Sequence, residues 1–149
     1  MRAAQIVELG RPPRVADLAE PVDAGITVEA VALNPLDVNI AAGRFYGGHP
    51  PLPYVPGCEA AGRLADGTAV YLFGDGRGIS KDGFLAERAT LATPLRLPGD
   101  VDLQLAAGLG IAGVAAWVSV AWKAKVGPGD RVVVLGASGT VGRLALQAA

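Results

Sequence analysis

The spacing of apolar positions changes character twice along this chain. Up to residue 97, apolar side chains fall in short segments punctuated by Gly, Pro and Asp. Several segments alternate with polar or small residues at period two, the rhythm of a half-buried strand. Segments 3–7, 14–18, 26–33, 58–64, 69–73, 84–91 and 95–97 are accordingly read as strands. Asp66-Gly67 separates two of them, and Asp-Gly between apolar runs signals a hairpin. One helix interrupts the series. Asn34 is a cap residue followed by Pro35 at the first helical position, which predicts a helix to about Ala42. Between 103 and 126 the composition becomes helical, with Asp102 as cap. Gly108, Gly110 and Gly113 each weaken a single long helix by roughly 1 kcal/mol, so two buried helical pieces meeting near 110–113 are expected. A Gly-Pro-Gly turn then delivers the chain into 131–135 (RVVVL), whose all-apolar pattern predicts a fully buried parallel strand.

Directly after that run comes Gly136-Ala-Ser-Gly139-Thr-Val-Gly142 and a helix-forming tail. A glycine-rich turn that opens a helix can hold a dinucleotide pyrophosphate, because its backbone approaches closely and the first helical N–H groups face the anion. Gly136, Ser138, Gly139, Thr140, Val141 and Gly142 are the candidate contacts. The spacing is G-x-x-G-x-x-G, so a strand–turn–helix without ligand, with Ser138 and Thr140 as plain turn residues, stays open. The sequence stops at Ala149, about two turns into this helix. A nucleotide-binding fold is expected to begin here unfinished, its tail frayed, paired with another chain or part of a longer protein.

Composition narrows the function classes. The net charge is −1, and no basic cluster of five occurs, so no nucleic-acid partner is expected. The single cysteine, Cys58, excludes an internal disulfide framework and suits a reducing, cytoplasmic setting. Residues 105–122 are 18 positions with Ser119 as the only polar side chain, long enough to span a membrane. The Gly and Ala content favours core helices instead, and no membrane association is expected. The loop 43–56 (GRFYGGHPPLPYVP) carries Phe45, Tyr46, His49 and Tyr54; a wall over a binding cleft is favoured, with a rigid surface loop as alternative.

Five segments together resemble the medium-chain dehydrogenase/reductase family, in its zinc-independent quinone-oxidoreductase-like branch. They are VALNPLDVNIAAGRFYGG, LPYVPGCEAAGRL, DGFLAERATL, GLGIAGVAAWVSV and KVGPGDRVVVLGASGTVGRLALQAA. The resemblance implies a GroES-like β-domain over 1–100, a helical connector over 101–126, and over 127–149 the first βα unit of a truncated Rossmann-type α/β domain. It further implies an NADPH or NADH cofactor, a small-molecule substrate and, for a full-length parent, a homodimer. Where zinc-dependent members carry Cys and His ligands, this sequence has Asn34 and Cys58, and the four-cysteine structural loop is missing. A catalytic zinc needs three protein ligands; only Cys58, His49 and a carboxylate such as Asp37 or Glu59 could supply them, and no metal is expected.

The chemistry then expected is hydride transfer to an electrophilic acceptor, a quinone or α,β-unsaturated carbonyl, with the activity belonging to the full-length parent. By the resemblance, Asn34 orients the carboxamide or substrate oxygen and Tyr46 donates a hydrogen bond or proton. A plain helix cap and simple loop packing are their alternatives. Ala115 stands where relatives often have a threonine, which removes one polar contact. Glu59, in an apolar strand, is expected to pair with an arginine. A second class of reading is a non-catalytic GroES-like fragment that needs further sequence or a partner chain.

Overall fold

A computed structural model describes residues 1–149. The chain divides into two units, Met1–Ala107 and Gly108–Ala149.

The first unit is sheet-rich. Strand β1 (Arg2–Gln5) pairs antiparallel with β2 (Arg14–Asp17) as a separate ribbon. Five further strands make one antiparallel sheet: β3 (Ile26–Ala32), β4 (Glu59–Leu64), β5 (Ala69–Phe73), β6 (Arg88–Ala89) and β7 (Leu95–Arg96), ordered β6-β3-β4-β5-β7. The Asp66-Gly67 hairpin sets Glu59 opposite Phe73, Ala60 opposite Leu72 and Ala61 opposite Tyr71. Central β4 is buried on both faces, so its alternation feeds two cores. Ala60 joins Ile26, Val70, Leu72, Phe84 and Ala89 on one side. On the other, Ala61 and Ala69 pack against Leu103, Ala106 and Ala107 at the start of a helix. Two alanines and a glycine in β4 keep that middle layer thin enough to be covered twice.

The run 84–91, read as one strand, yields only the two residues of β6. Upstream, the backbone of Phe84–Glu87 bonds instead to Gly57, Pro56, Arg2 and Ala4, stitching the loop, β1 and the sheet together. Helix α1 (Pro35–Ala41) starts where the Asn-Pro signal puts it and buries Asp37 and Ile40.

Helix α2 (Leu103–Trp117) begins at Asp102, whose Oδ1 accepts from the N–H groups of Gln104 (2.8 Å) and Leu105 (3.0 Å). The expected break at 110–113 is not there. The helix passes through all three glycines and changes only at Val118–Lys123, a π-helical turn. Local glycine cost is a weak prior that an otherwise helix-favouring, alanine-rich run overrides. The combined run Leu103–Lys123 is long and apolar enough to cross a membrane by length and composition.

In the second unit, Ala116, Val120 and Ala145 form a small core with Val126, Val134 and Leu144 beside it. The strand predicted over 131–135 does not form. A strand exists through the hydrogen bonds of a neighbour, and this segment has none: Val133 is 86% and Leu135 90% exposed. Beyond it, the glycine turn leads into α3 (Thr140–Ala148), which buries Gly142 and Ala145.

Candidate functional site

The sequence-derived site residues fall in two places, one in each unit. In the first, Asn34 sits at the N-cap of α1, and its backbone N–H donates to Asp37 Oδ2 at 2.7 Å. Asp37 is itself buried, and its other oxygen accepts from the backbone N–H of Cys58 at 2.8 Å. One carboxylate thus ties the first turn of α1 to the entry of β4. The Asn34 amide donates through Nδ2 to Glu59 Oε1 at 2.6 Å. Glu59 is 1% exposed, and its second oxygen accepts from the Tyr71 hydroxyl at 2.5 Å.

An amide and a phenol are thus two of the partners that Glu59 meets. A buried carboxylate is tolerated when its lone pairs are met by donors. Tyr71 is such a donor because burial, then its bond to Glu59, push its phenol above the ordinary range, so it keeps its proton. Sequence reading missed Tyr71. The signal was present in the hairpin register: Tyr71 lies opposite Ala61, on the face of β4 that Glu59 shares.

Cys58 is fully buried and free. Burial first, then the hydrogen bond and charge of Asp37, raise its thiol well above the ordinary value, which keeps it protonated. His49 lies at the surface with Nδ1 at 2.6 Å from the Pro50 carbonyl. No group of three or more His, Cys, Asp or Glu side chains is arranged to hold a metal ion.

The loop 43–56 splits in two. Tyr54 is buried, and its backbone bonds both ways with Ile6. Tyr46 is 98% exposed and touches the Phe45 ring at 4.6 Å between centroids. Asn34 is thus held by a buried network, whereas Tyr46 stands in solvent.

The second place is the glycine turn. Gly136 adopts φ +71°, a conformation that favours glycine. The Gly139 N–H bonds to the Gly136 carbonyl at 3.0 Å, and Gly139 is the N-cap of α3. The first intrahelical donor is Arg143, bonding to the Gly139 carbonyl at 2.9 Å. The N–H groups of Thr140, Val141 and Gly142 precede it and lack an intrahelical acceptor. A Cβ on Gly142 would collide with the Gly136 carbonyl oxygen, so only glycine allows the helix to start tight against the turn. Arg143 Nε reaches back to the Ser138 carbonyl at 3.1 Å and braces the same corner. Ser138 and Thr140 are exposed, with hydroxyls at the turn. The donor set fits a diphosphate: several backbone N–H groups, a helix dipole and no acidic side chain among residues 131–149.

Comparison with known proteins gives the class to which these features belong. Residues 20–80 match the alcohol dehydrogenase GroES-like domain, which makes the sheet-rich unit a module of that class. The chain is 36% identical over 163 residues to the quinone oxidoreductase of Lama guanicoe, covering 100% of this chain and 49% of that protein. It is 34% identical over 163 residues to the human quinone oxidoreductase, with the same coverage of 100% and 49%. Among solved structures, the quinone oxidoreductase from Thermus thermophilus, determined also in complex with NADPH, matches with a TM-score of 0.81 at 30% identity, over 99% of this chain and 49% of that one. Over its whole length the chain is similar to quinone oxidoreductases, as the resemblance to the medium-chain dehydrogenase/reductase family implies. It spans about half the length of the curated relatives it matches.

Proposed function

We propose that this chain supplies the GroES-like half and the pyrophosphate turn of an NAD(P)H-dependent reductase of quinones or α,β-unsaturated carbonyls that works without metal. The observation that carries the reading is the corner 136–142, where a helix starts against a turn so closely that residue 142 must be glycine. Its free N–H groups hold the diphosphate of a dinucleotide, with Ser138 and Thr140 adding hydroxyl donors. When bound, the nicotinamide supplies a hydride to the electrophilic carbon. Asn34, oriented by Glu59, hydrogen-bonds the carboxamide or the substrate oxygen and stabilises charge as it develops there. Tyr46 enters as proton or hydrogen-bond donor on the family resemblance alone. Metal independence draws support from His49, which lies at the surface bonded to a backbone carbonyl. The substrate is a small molecule, no nucleic-acid partner is needed, and the single buried cysteine suits the cytoplasm. NADPH is the preferred cofactor in this reading, because the solved relative binds it. The apolar run Leu103–Lys123 is read as a helix of a water-soluble enzyme.

The test is dinucleotide binding. The whole chain and a Gly139→Asp variant are titrated with NADPH and followed by its fluorescence. The variant puts a carboxylate at the turn and is expected to bind at least tenfold more weakly; equal affinity removes the pyrophosphate assignment. A second reading, a GroES-like binding module that acts only with further sequence or a partner, is favoured by the exposure of Val133 and Leu135. It predicts binding without turnover when a quinone is added to the NADPH-loaded chain.

A further inference from the structure

We infer that the sheet-rich unit contains a second binding site, a cavity walled by Arg77 and Arg88, that takes a small organic anion bearing a carboxylate or phosphate group. The cavity measures about 330 Å³ and lies wholly within residues 1–90, apart from the glycine turn and from the Asn34–Glu59 network. Two arginines of this chain face it, and both are anomalous in the same way. Arg77 donates Nη1 to the Asp82 carbonyl at 3.4 Å and Nη2 to Thr90 Oγ1 at 2.9 Å. Arg88 donates Nη1 to Thr27 Oγ1 at 2.9 Å and Nη2 to the Ala24 carbonyl at 2.5 Å. All four acceptors are neutral. In both residues the Nε–H is buried and meets no acceptor at all.

Elsewhere the chain pairs its cations with carboxylates: Arg2 with Glu87, Arg11 with Glu8, Arg63 with Glu29 and Lys81 with Asp75. Arg77 and Arg88 take part in none of these pairs. The one carboxylate on the cavity wall, Asp82, has Oδ1 committed to the Val55 N–H at 2.7 Å. Two guanidinium groups, which do not deprotonate in proteins, therefore line one hollow with a single acid, one of whose oxygens the Val55 N–H holds. Two such groups beside one carboxylate leave this wall with an excess of positive charge. An oxyanion supplies both acceptor and charge, and a carboxylate or phosphate matches the guanidinium fork. Leu18, Pro21 and Ala86 complete the wall with apolar surface. The volume exceeds what a lone phosphate fills, so the ligand is an anion with a short carbon body, an organic acid or a phosphate ester.

The two sources are separated by titrating the whole ¹⁵N-labelled chain with inorganic phosphate or with butyrate at constant ionic strength, using chloride as reference. The readout is the Nε–Hε resonances of Arg77 and Arg88. Saturable shifts of both with phosphate assign a phosphate ester, and with butyrate an organic acid; either supports the site. Arg77→Gln and Arg88→Gln are each expected to weaken that binding about tenfold, and Arg77→Lys to retain part of it. Arg44→Gln, exposed on the loop 43–56, leaves it unchanged. If neither anion moves the two resonances beyond the chloride reference, the site is a water-filled hollow and the inference is wrong. Because the wild-type resonances decide, a variant that fails to fold does not protect the idea.

Discussion

Two five-residue runs in this chain are rich in strand-favouring residues and have opposite fates. AVYLF becomes β5, paired on both sides, with Val70 and Leu72 at 0% exposure. RVVVL, at 131–135, stays unpaired, and Leu135 is 90% exposed. Side-chain propensity is not the difference. What differs is a neighbour: β5 has β4 across a tight hairpin, close in sequence, and a parallel strand needs a crossover before any partner arrives. An apolar run is therefore an offer of a strand, and only the sheet accepts it.

The sharpest way to break this comparison is to truncate one leucine in each run. Leu72→Ala opens a cavity in a two-sided core and is expected to cost about 2–5 kcal/mol in urea unfolding. Leu135→Ala removes surface already in water and should cost about 0.5 kcal/mol or less. Equal costs would mean that 131–135 is buried in solution.

A smaller effect separates the two functional places. Glu59→Gln keeps size but replaces a charged acceptor of two hydrogen bonds, and should lose about 1.5–3 kcal/mol. The loss should show in the sheet-rich unit, with amide exchange in α3 unchanged. Conversely, Gly142→Ala forces α3 away from the Gly136 carbonyl at about 1–3 kcal/mol. Hydrogen exchange should rise in Thr140–Ala148 and stay as it was in β3–β5.

The smallest effect concerns the exposed ribbon. The backbone and side chain of Arg2 hold the Glu87 carboxyl below its ordinary 4.5. A depressed carboxylate stabilises the fold above that ordinary value and loses its contribution as pH falls through the folded value. Wild type should therefore be slightly more stable than Glu87→Gln near neutrality, with the gap closing below pH 4.5. A gap that widens in acid would contradict the pairing.

Much of the sheet-rich unit was legible because its signals are local. The Asp-Gly turn fixes the β4–β5 register, and Asn-Pro starts α1 within a residue of its observed position. The helix through 110–113 and the broken 84–91 strand were misread for different reasons. In the first, the alanine-rich context outweighs three glycines; in the second, the backbone carbonyls of Arg2, Pro56 and Gly57 and the N–H of Ala4 claim the segment. At the candidate site, Asn34 and the glycine turn were readable as residue types. The Tyr71–Glu59 bond was not, because it needs the hairpin register applied to a face rather than to a strand. The arginine cavity escaped for a related reason: Arg77 and Arg88 look ordinary in sequence, and only their missing carboxylates single them out.

Asp37 grips the Asn34 backbone with one oxygen and the Cys58 backbone with the other. Asn34 is consequently moored twice to β4, through the main chain by Asp37 and through its amide by Glu59. Such double mooring lets α1 vary freely on its outward side, at Val38 and Asn39, while the amide at its tip keeps its aim to within the slack of two short bonds.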